Sequence, residues 1–219
     1  LADLGERLVA QKPRKLMLTL TTTAPPRLSM FPFKKRGIVL ASIWDEEDRQ
    51  EMWAEEARRE LVRPGAIVEG YEVEESIPVE SLRTWPEGRR TPGAGLLTLL
   101  RRPAGLGDDE FFDRWFNGHT PHSLRTHPLW RYVRNVVQTP LIAGSTNFDG
   151  IVEEHFREAK DMLDPLRFYG GPWEEHRSRW TMAKRLLPGM ISTGLDIKGF
   201  IDLKSIETYL VDEYRLIDE

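Results

Sequence analysis

Three histidines lie close together in the chain, His119, His122 and His127, and histidine is a side chain that binds metals and moves protons near neutral pH. Their spacing is loose for a metal site, and Pro121 and Pro128 interrupt it. Metal-bound histidines are oriented by carboxylates or carbonyls around them, and no cluster of acidic residues lies nearby. We therefore expect no metal and no cofactor, and we expect proton transfer as the chemistry of these histidines.

His119 follows Trp115 by four residues and Phe112 by seven, so the three side chains share one face if the segment is helical. A histidine at the C-terminal end of a helix is stabilised as imidazolium by the helix dipole. This predicts His119 as a catalytic acid or base, with His122 beside it contacting substrate. The alternative is a histidine that only caps the last helical carbonyls, helped by Gly118.

Tyr132 and Asn135 lie in a predicted strand over 129–140. They are three residues apart, and side chains alternate along a strand, so they should lie on opposite faces. Tyr132 is predicted to donate a hydrogen bond in catalysis and Asn135 to contact substrate. The alternative for Tyr132 is an ordinary core tyrosine.

Glu153 and His155 share one face of a predicted strand over 148–156. Val152 and Phe156 on the other face indicate packing against helices. Glu153 and His155 should therefore face the interior of a barrel, where they could orient one another as an acid/base pair, with His155 catalytic and Glu153 contacting substrate.

Two of the seven tryptophans, Trp115 and Trp180, are predicted to line the binding site and contact an aromatic ligand. The pattern assigns His176 to the core, on an apolar helix face, and Asp149 to a turn before Gly150.

Composition excludes several classes of protein. The 219 residues contain no cysteine, which rules out disulfides and thiolate chemistry and suits a reducing cytoplasm. The net charge of −4 gives no reason to expect nucleic acid as a partner. No run approaches the roughly 20 apolar residues of a membrane helix, so no membrane partner is expected.

The order of the predicted elements indicates an α+β protein with an internal repeat. Residues 94–203 are predicted as β-α-β-β-α-β, the ferredoxin-like order, with a last strand over 190–203 after a helix that stops at Pro188. Residues 1–82 have the same order without its first strand. Residues 83–93 form a Pro-, Gly- and Arg-rich linker, and 204–219 a tail that includes a short helix.

The segment over 110–137 resembles the EthD family of dimeric α/β-barrel proteins: an aromatic-rich helix, a histidine followed closely by proline, and a strand bearing tyrosine and asparagine. Asp149 and Gly150 match the Asp-Gly start of the family's third strand. The resemblance covers 94–203 and implies a ferredoxin-like fold whose sheet pairs with a second sheet into a barrel. Here the first half could supply that sheet, giving a monomeric pseudo-dimer, with a homodimer as the alternative. The first half lacks the histidine-proline segment, so one site per chain is expected.

The resemblance implies a cofactor-free lyase or isomerase acting on a small apolar or aromatic molecule. Relatives of this architecture also include accessory proteins of degradation pathways and haem-binding barrels. A non-catalytic ligand-binding protein, or a haem-binding barrel, is therefore the alternative function.

Overall fold

The computed structural model describes residues 2–45, 49–61, 65–172 and 178–218. His176 lies outside these ranges. The helices are α1 (Ala2–Ala10), α2 (Gln50–Leu61), α3 (Asp108–Asp113), a π-helical segment (Arg114–His119), α4 (Thr120–Thr126), α5 (Ala159–Leu163), α6 (Pro165–Phe168) and α7 (Arg179–Lys198). The strands are β1 (Lys15–Leu20), β2 (Val39–Trp44), β3 (Tyr71–Val79), β4 (Ala94–Leu100), β5 (Arg131–Pro140), β6 (Gly150–Phe156) and β7 (Glu207–Ile217).

The described strands form one antiparallel sheet in the order β2-β1-β7-β4-β6-β5-β3, curled into a half-barrel. The α+β class predicted from sequence is confirmed. The two edge strands approach each other across the open side, where the indole N–H of Trp44 on β2 donates to Glu75 on β3 at 3.1 Å. The sheet therefore has a concave interior and an outer face.

Each face of the sheet has its own apolar core. On the outer face, Tyr132 and Val152 pack with Phe111, Trp115 and Phe200 from the helices and their connections. In the interior, a second cluster contains Leu97, Leu99, Ile151, Tyr209 and Val211. The period-two alternation of β4, β5, β6 and β7 separates the two sets.

The C-terminal segment corrects one prediction. Residues 204–219 were expected to be a tail with a short helix, but Glu207–Ile217 is the strand β7, paired with β1 on one side and β4 on the other. Its inward residues include Tyr209, Val211 and the charged Glu213. Because the charged Glu213 follows two apolar residues on the inward face, apolar and polar residues do not alternate regularly along this segment. The sequence pattern therefore did not indicate a strand.

Helix α7 corrects a second prediction. Residues 190–203 were expected to be a strand, but α7 begins after Ser178, whose hydroxyl accepts from the Thr181 amide at 3.2 Å, and continues through Pro188 to Lys198. Proline normally costs a helix about 3 kcal/mol, because it removes a hydrogen bond and crowds the preceding turn. Here Gly189 lies close against Tyr169, so packing of the buried face holds the helix together across the proline.

The prediction of two ferredoxin-like halves, each with its own sheet, is not confirmed. Strands β4 and β5 run parallel with β6 between them, and β6 and β7 run parallel with β4 between them, which is the split β-α-β arrangement. The strands from residues 1–82 form no second sheet, since β1 and β2 extend one edge beyond β7 and β3 extends the other edge beyond β5.

Gly150 allows the Trp115 indole of the helical segment to pack directly on the sheet, and this gives a testable prediction. A Cβ built on Gly150 would overlap the Trp115 indole, whose side chain is fully buried. Gly150→Ala should therefore lower the free energy of unfolding by about 1–3 kcal/mol, measured by chemical denaturation. Gly118→Ala is the control, because a Cβ there meets no atom within 4 Å. Equal losses in the two variants would contradict this account.

Within the described residues, no helix combines the length and the apolar character that spanning a bilayer requires.

Candidate functional site

A cavity of about 330 Å³ lies between the outer face of the sheet and the helices. Strands β4 and β6 form its floor, and the π-helical segment, α4, α6 and α7 contribute its walls. Its lining is mostly apolar, with Phe31, Leu96, Leu100, Trp115, Val152, Phe168, Ile197 and Phe200 among the residues that form it. This is the size and character of a pocket for a small apolar ligand.

His119 lines this cavity and is held between two side chains. Its Nδ1 lies 2.6 Å from Asp196 Oδ2 on α7, and its Nε2 lies 3.2 Å from Ser123 Oγ, one turn further along. An ionised Asp196 accepts from Nδ1–H, so Nε2 is left as an acceptor, to which the Ser123 hydroxyl can donate. The arrangement fixes both the orientation and the tautomer of the ring.

The position of His119 in its helix differs from the prediction. The helix was expected to end at Gly118, but the chain continues through a π-helical segment into α4, which ends at Thr126. Pro121, which has no N–H, comes directly after the π-helical segment, whose i→i+5 pattern extends to the Thr120 amide on the Trp115 carbonyl. His119 is thus inside a continuous helical stretch, so neither the dipole effect at a helix end nor the alternative of a capping histidine applies. Single π-helical turns of this kind recur at functional sites.

His122 connects α4 to α7 and does not line the cavity. Its Nε2 lies 3.0 Å from the hydroxyl of Thr193 and 3.4 Å from that of Thr126. Burial lowers its pKa, so the neutral ring is favoured. In this structure, His122 helps hold α7 against α4 and so supports the pairing of His119 with Asp196.

His127 is a buried wall of the cavity. Its ring stacks on Phe168 with 3.9 Å between centroids, and Nδ1 lies 3.0 Å from the Phe168 carbonyl. Burial lowers its pKa to about 3, so His127 is neutral across the physiological range. The described residues contain no group of three side chains suited to hold a metal ion.

Trp115 and Tyr132 lie together beside the site. Trp115 is fully buried and lines the cavity, as a ligand-contacting residue would. Tyr132 lies in the packed layer of the sheet near Trp115 and Thr120, does not line the cavity, and has its pKa raised by burial to about 12. The structure therefore places Tyr132 in the core, the alternative that the sequence left open.

Glu154 is a residue of the site that the sequence analysis missed. Its side chain lies on the outer face of β6 between Val152 and Phe156, and it lines the cavity. No hydrogen bond or ion pair joins its carboxylate to the rest of the described chain, and burial raises the pKa of Glu154 to about 7. The signal in the sequence was a carboxylate at a position where the alternation of β6 requires an apolar residue.

The remaining predicted residues of the strands lie on the opposite face. Asn135 donates to Glu153 at 3.1 Å, and His155 Nε2 lies 2.9 Å from the Pro92 carbonyl, so Glu153 and His155 have separate partners and do not orient one another. Burial raises the pKa of Glu153 to about 7 and lowers that of His155. Both face the barrel interior as predicted, but the space beside them is about 10 Å³, room for a single water. The sheet separates them from His119.

Trp180 does not wall the cavity. Its side chain is 72% exposed on α7, and the Lys184 ammonium lies 5.4 Å from the ring centroid. The prediction that Trp180 contacts a ligand together with Trp115 therefore has no support in the geometry.

No protein-family model matches this chain, and neither a curated protein nor a solved structure matches it significantly. The resemblance to the EthD family stays a prediction that rests on the residues quoted above.

Proposed function

We propose that this protein binds a small apolar or aromatic molecule in the cavity and moves a proton on it without a cofactor, as a lyase or isomerase. The observation that carries the proposal is the 2.6 Å contact between His119 and Asp196 at the wall of a largely apolar cavity. A carboxylate at Nδ1 makes Nε2 the basic nitrogen and stabilises the imidazolium that forms when Nε2 takes a proton.

The chemistry begins with a ligand seated against Trp115 and Phe200. The Ser123 hydroxyl turns away from Nε2, and His119 removes a proton from the ligand at that nitrogen. The positive charge that forms is neutralised by Asp196. The same imidazolium then returns the proton to another atom of the ligand or to a leaving group. The apolar walls exclude water, which strengthens each of these charge interactions.

We propose for the fold that residues 94–217 form an EthD-like, ferredoxin-like unit, and that residues 1–82 extend its sheet as a second subunit would. Support comes from the split β-α-β order of β4 to β7 and from the added strands on both edges. A monomeric pseudo-dimer follows, with a homodimer as the alternative, and the lack of cysteine supports a cytoplasmic location.

The test uses a nitrobenzisoxazole, a small aromatic probe whose ring opens when one proton is removed from carbon. The C–H bond and the ring N–O bond break, the base keeps the proton, and a coloured cyanophenolate forms. We expect the protein to accelerate this reaction and His119→Ala to reduce that acceleration by about 100-fold. Asp196→Asn should also slow it, because the imidazolium loses its counter-ion.

Asn117→Ala is the control, because Asn117 is exposed on the same helical segment. Full activity in His119→Ala would rule out His119 as the base. No acceleration by the wild-type protein would instead favour the non-catalytic ligand-binding alternative.

The contact between Ser123 and His119 favours a second candidate, an acyl hydrolase with Ser123 as nucleophile. Ser123, His119 and Asp196 have the connectivity of a catalytic triad. Ser123 has 0% exposure, however, so an ester carbonyl must displace its neighbours to reach the hydroxyl. A burst of nitrophenol from nitrophenyl acetate that Ser123→Ala abolishes would establish the hydrolase. The proton-transfer proposal expects no burst and an active Ser123→Ala variant.

A further inference from the structure

Glu154 is the carboxylate of the cavity that the proposed proton transfer does not use. In the register of the sheet it lies directly opposite Leu96 on one side and Tyr132 on the other, neither of which is a cation. Arg134, the next residue of β5 on the same face, donates to Ser76 and Thr120 instead. Glu154 is half-buried, and a carboxylate that loses part of its hydration in apolar surroundings is normally paired, since an unpaired charge there is costly. Glu154 has no such partner among the residues that the structure describes, and its side chain borders the space where a ligand would lie.

The charges around the cavity favour one class of ligand over another. None of the described residues that line it is a lysine or an arginine. His127 is neutral, and the Nδ1 of His119 is already paired with Asp196. A ligand carboxylate or phosphate would therefore lie beside Glu154 without a free counter-ion. A ligand cation would supply the partner that Glu154 lacks.

We propose that the cavity selects small apolar or aromatic molecules that carry a basic amine, and that Glu154 binds the amine as an ion pair. This inference rests on the proposed function, which requires a ligand in the cavity, and it adds the chemical class of that ligand. The apolar body of the ligand contacts Trp115 and Phe200, and its ammonium reaches the floor of the cavity at β6. Glu154 is thus a specificity-determining residue, and His119 remains the proton-transfer group.

Three probes with one apolar body test the proposal: tryptamine, tryptophol and indoleacetate, which end in an amine, a hydroxyl and a carboxylate. We expect calorimetric titration of the full chain at alkaline pH to give tryptamine an affinity at least about 10-fold above that of tryptophol. Indoleacetate should bind more weakly than tryptophol. Glu154→Gln should reduce the affinity for tryptamine to that for tryptophol and leave tryptophol unchanged.

Glutamine has nearly the shape of glutamate, so this variant keeps the cavity, and unchanged binding of tryptophol verifies that it does. Glu72→Gln is the matched control, because Glu72 is exposed on β3 and outside the cavity. Equal affinities for tryptamine and tryptophol, tightest binding of indoleacetate, or unchanged tryptamine affinity in Glu154→Gln would each overturn the amine preference while leaving a ligand-binding cavity. Binding of none of the three would overturn both this inference and the proposed function.

Discussion

Replacing Glu213 with glutamine should lower the free energy of unfolding by about 3–5 kcal/mol. Glu213 is 3% exposed inside the curl of the sheet, where it accepts from Arg131 Nη1 at 3.0 Å and from Arg215 Nε at 2.9 Å. The Thr91 hydroxyl donates to it at 2.8 Å. Removing its charge leaves Arg131 and Arg215 with only the longer ion pairs to Glu80, at 3.5 and 3.9 Å, and to Asp218, at 3.5 Å. Much of the cost of burying the two guanidinium groups is then no longer offset.

Chemical denaturation measures this loss, and Asp212→Asn is the control. Asp212 is the next residue on β7 and pairs with Arg90 at 2.6 Å in a more exposed position. Exposed ion pairs are worth about 0–1 kcal/mol, so Asp212→Asn should cost far less. Similar losses in the two variants would show that the buried network is not what holds β7 in place.

The same network makes a prediction about pH. Burial alone would favour the protonated carboxyl, but Arg131, His155 and Arg215 together hold the pKa of Glu213 below its ordinary value. A lowered pKa in the folded state means that the stabilisation is present above the unfolded pKa and is lost as the pH falls through the folded one. Acid should therefore destabilise the wild-type protein more than Glu213→Gln, as measured by denaturation across acidic pH.

The faces of individual strands could be predicted from the sequence. Period-two alternation correctly placed Glu153 and His155 on the interior face and Val152 and Phe156 on the helix-facing side. The same alternation also correctly placed Tyr132 and Asn135 on opposite faces of their strand. These predictions succeed because alternation is a local property of one strand and does not depend on what the strand pairs with.

Pairing partners could not be predicted in this way. The strand β7 was hidden because Glu213 and Arg215 face inward, where Glu213 accepts from Arg215 beside it and from Arg131, which is distant in sequence. Helix α7 was cut short at Pro188, because the local cost of proline says nothing about the packing that offsets it.

The error over α7 affected the site directly. Asp196, the partner of His119, lay in a segment predicted as a strand, so its position one turn from Thr193 on a helix could not be inferred. His119 was predicted from the sequence and lines the cavity, but it does not lie at a helix end as the sequence analysis expected. The aromatic face identified the residue, whereas its environment comes from α7.

Between pH 5 and pH 8 the wild-type protein should lose up to about 3 kcal/mol of stability relative to Glu154→Gln. Burial raises the pKa of Glu154 from 4.5 to about 7. A raised acid pKa in the folded state means that folding holds the proton, so stability falls as the pH rises from the unfolded value to the folded one and levels off above it. Glutamine carries no proton to lose and should show no such fall.

The other titratable groups around Glu154 do not interfere with the comparison of the wild-type protein and Glu154→Gln between pH 5 and pH 8. Tyr132 stays neutral because its pKa is raised to about 12, and His127 stays neutral because its pKa is lowered to about 3. His119 lines the same cavity and is present in both proteins. Glu153, whose pKa is also raised to about 7, contributes equally to both and cancels in the difference.

Denaturation of the two proteins at several pH values measures the effect, with Glu72→Gln as the exposed control. A difference that grows with pH and levels off above pH 7 would establish Glu154 as a carboxyl held neutral by its apolar surroundings. A constant difference would mean that Glu154 is solvated in the folded protein. Adding tryptamine at alkaline pH should stabilise the wild-type protein more than Glu154→Gln, since a ligand that binds the folded state stabilises it by mass action and the wild-type protein should bind tryptamine more tightly. The stability of the free protein and the selectivity of its cavity would then have one cause, a half-buried carboxylate with no partner among the residues that the structure describes.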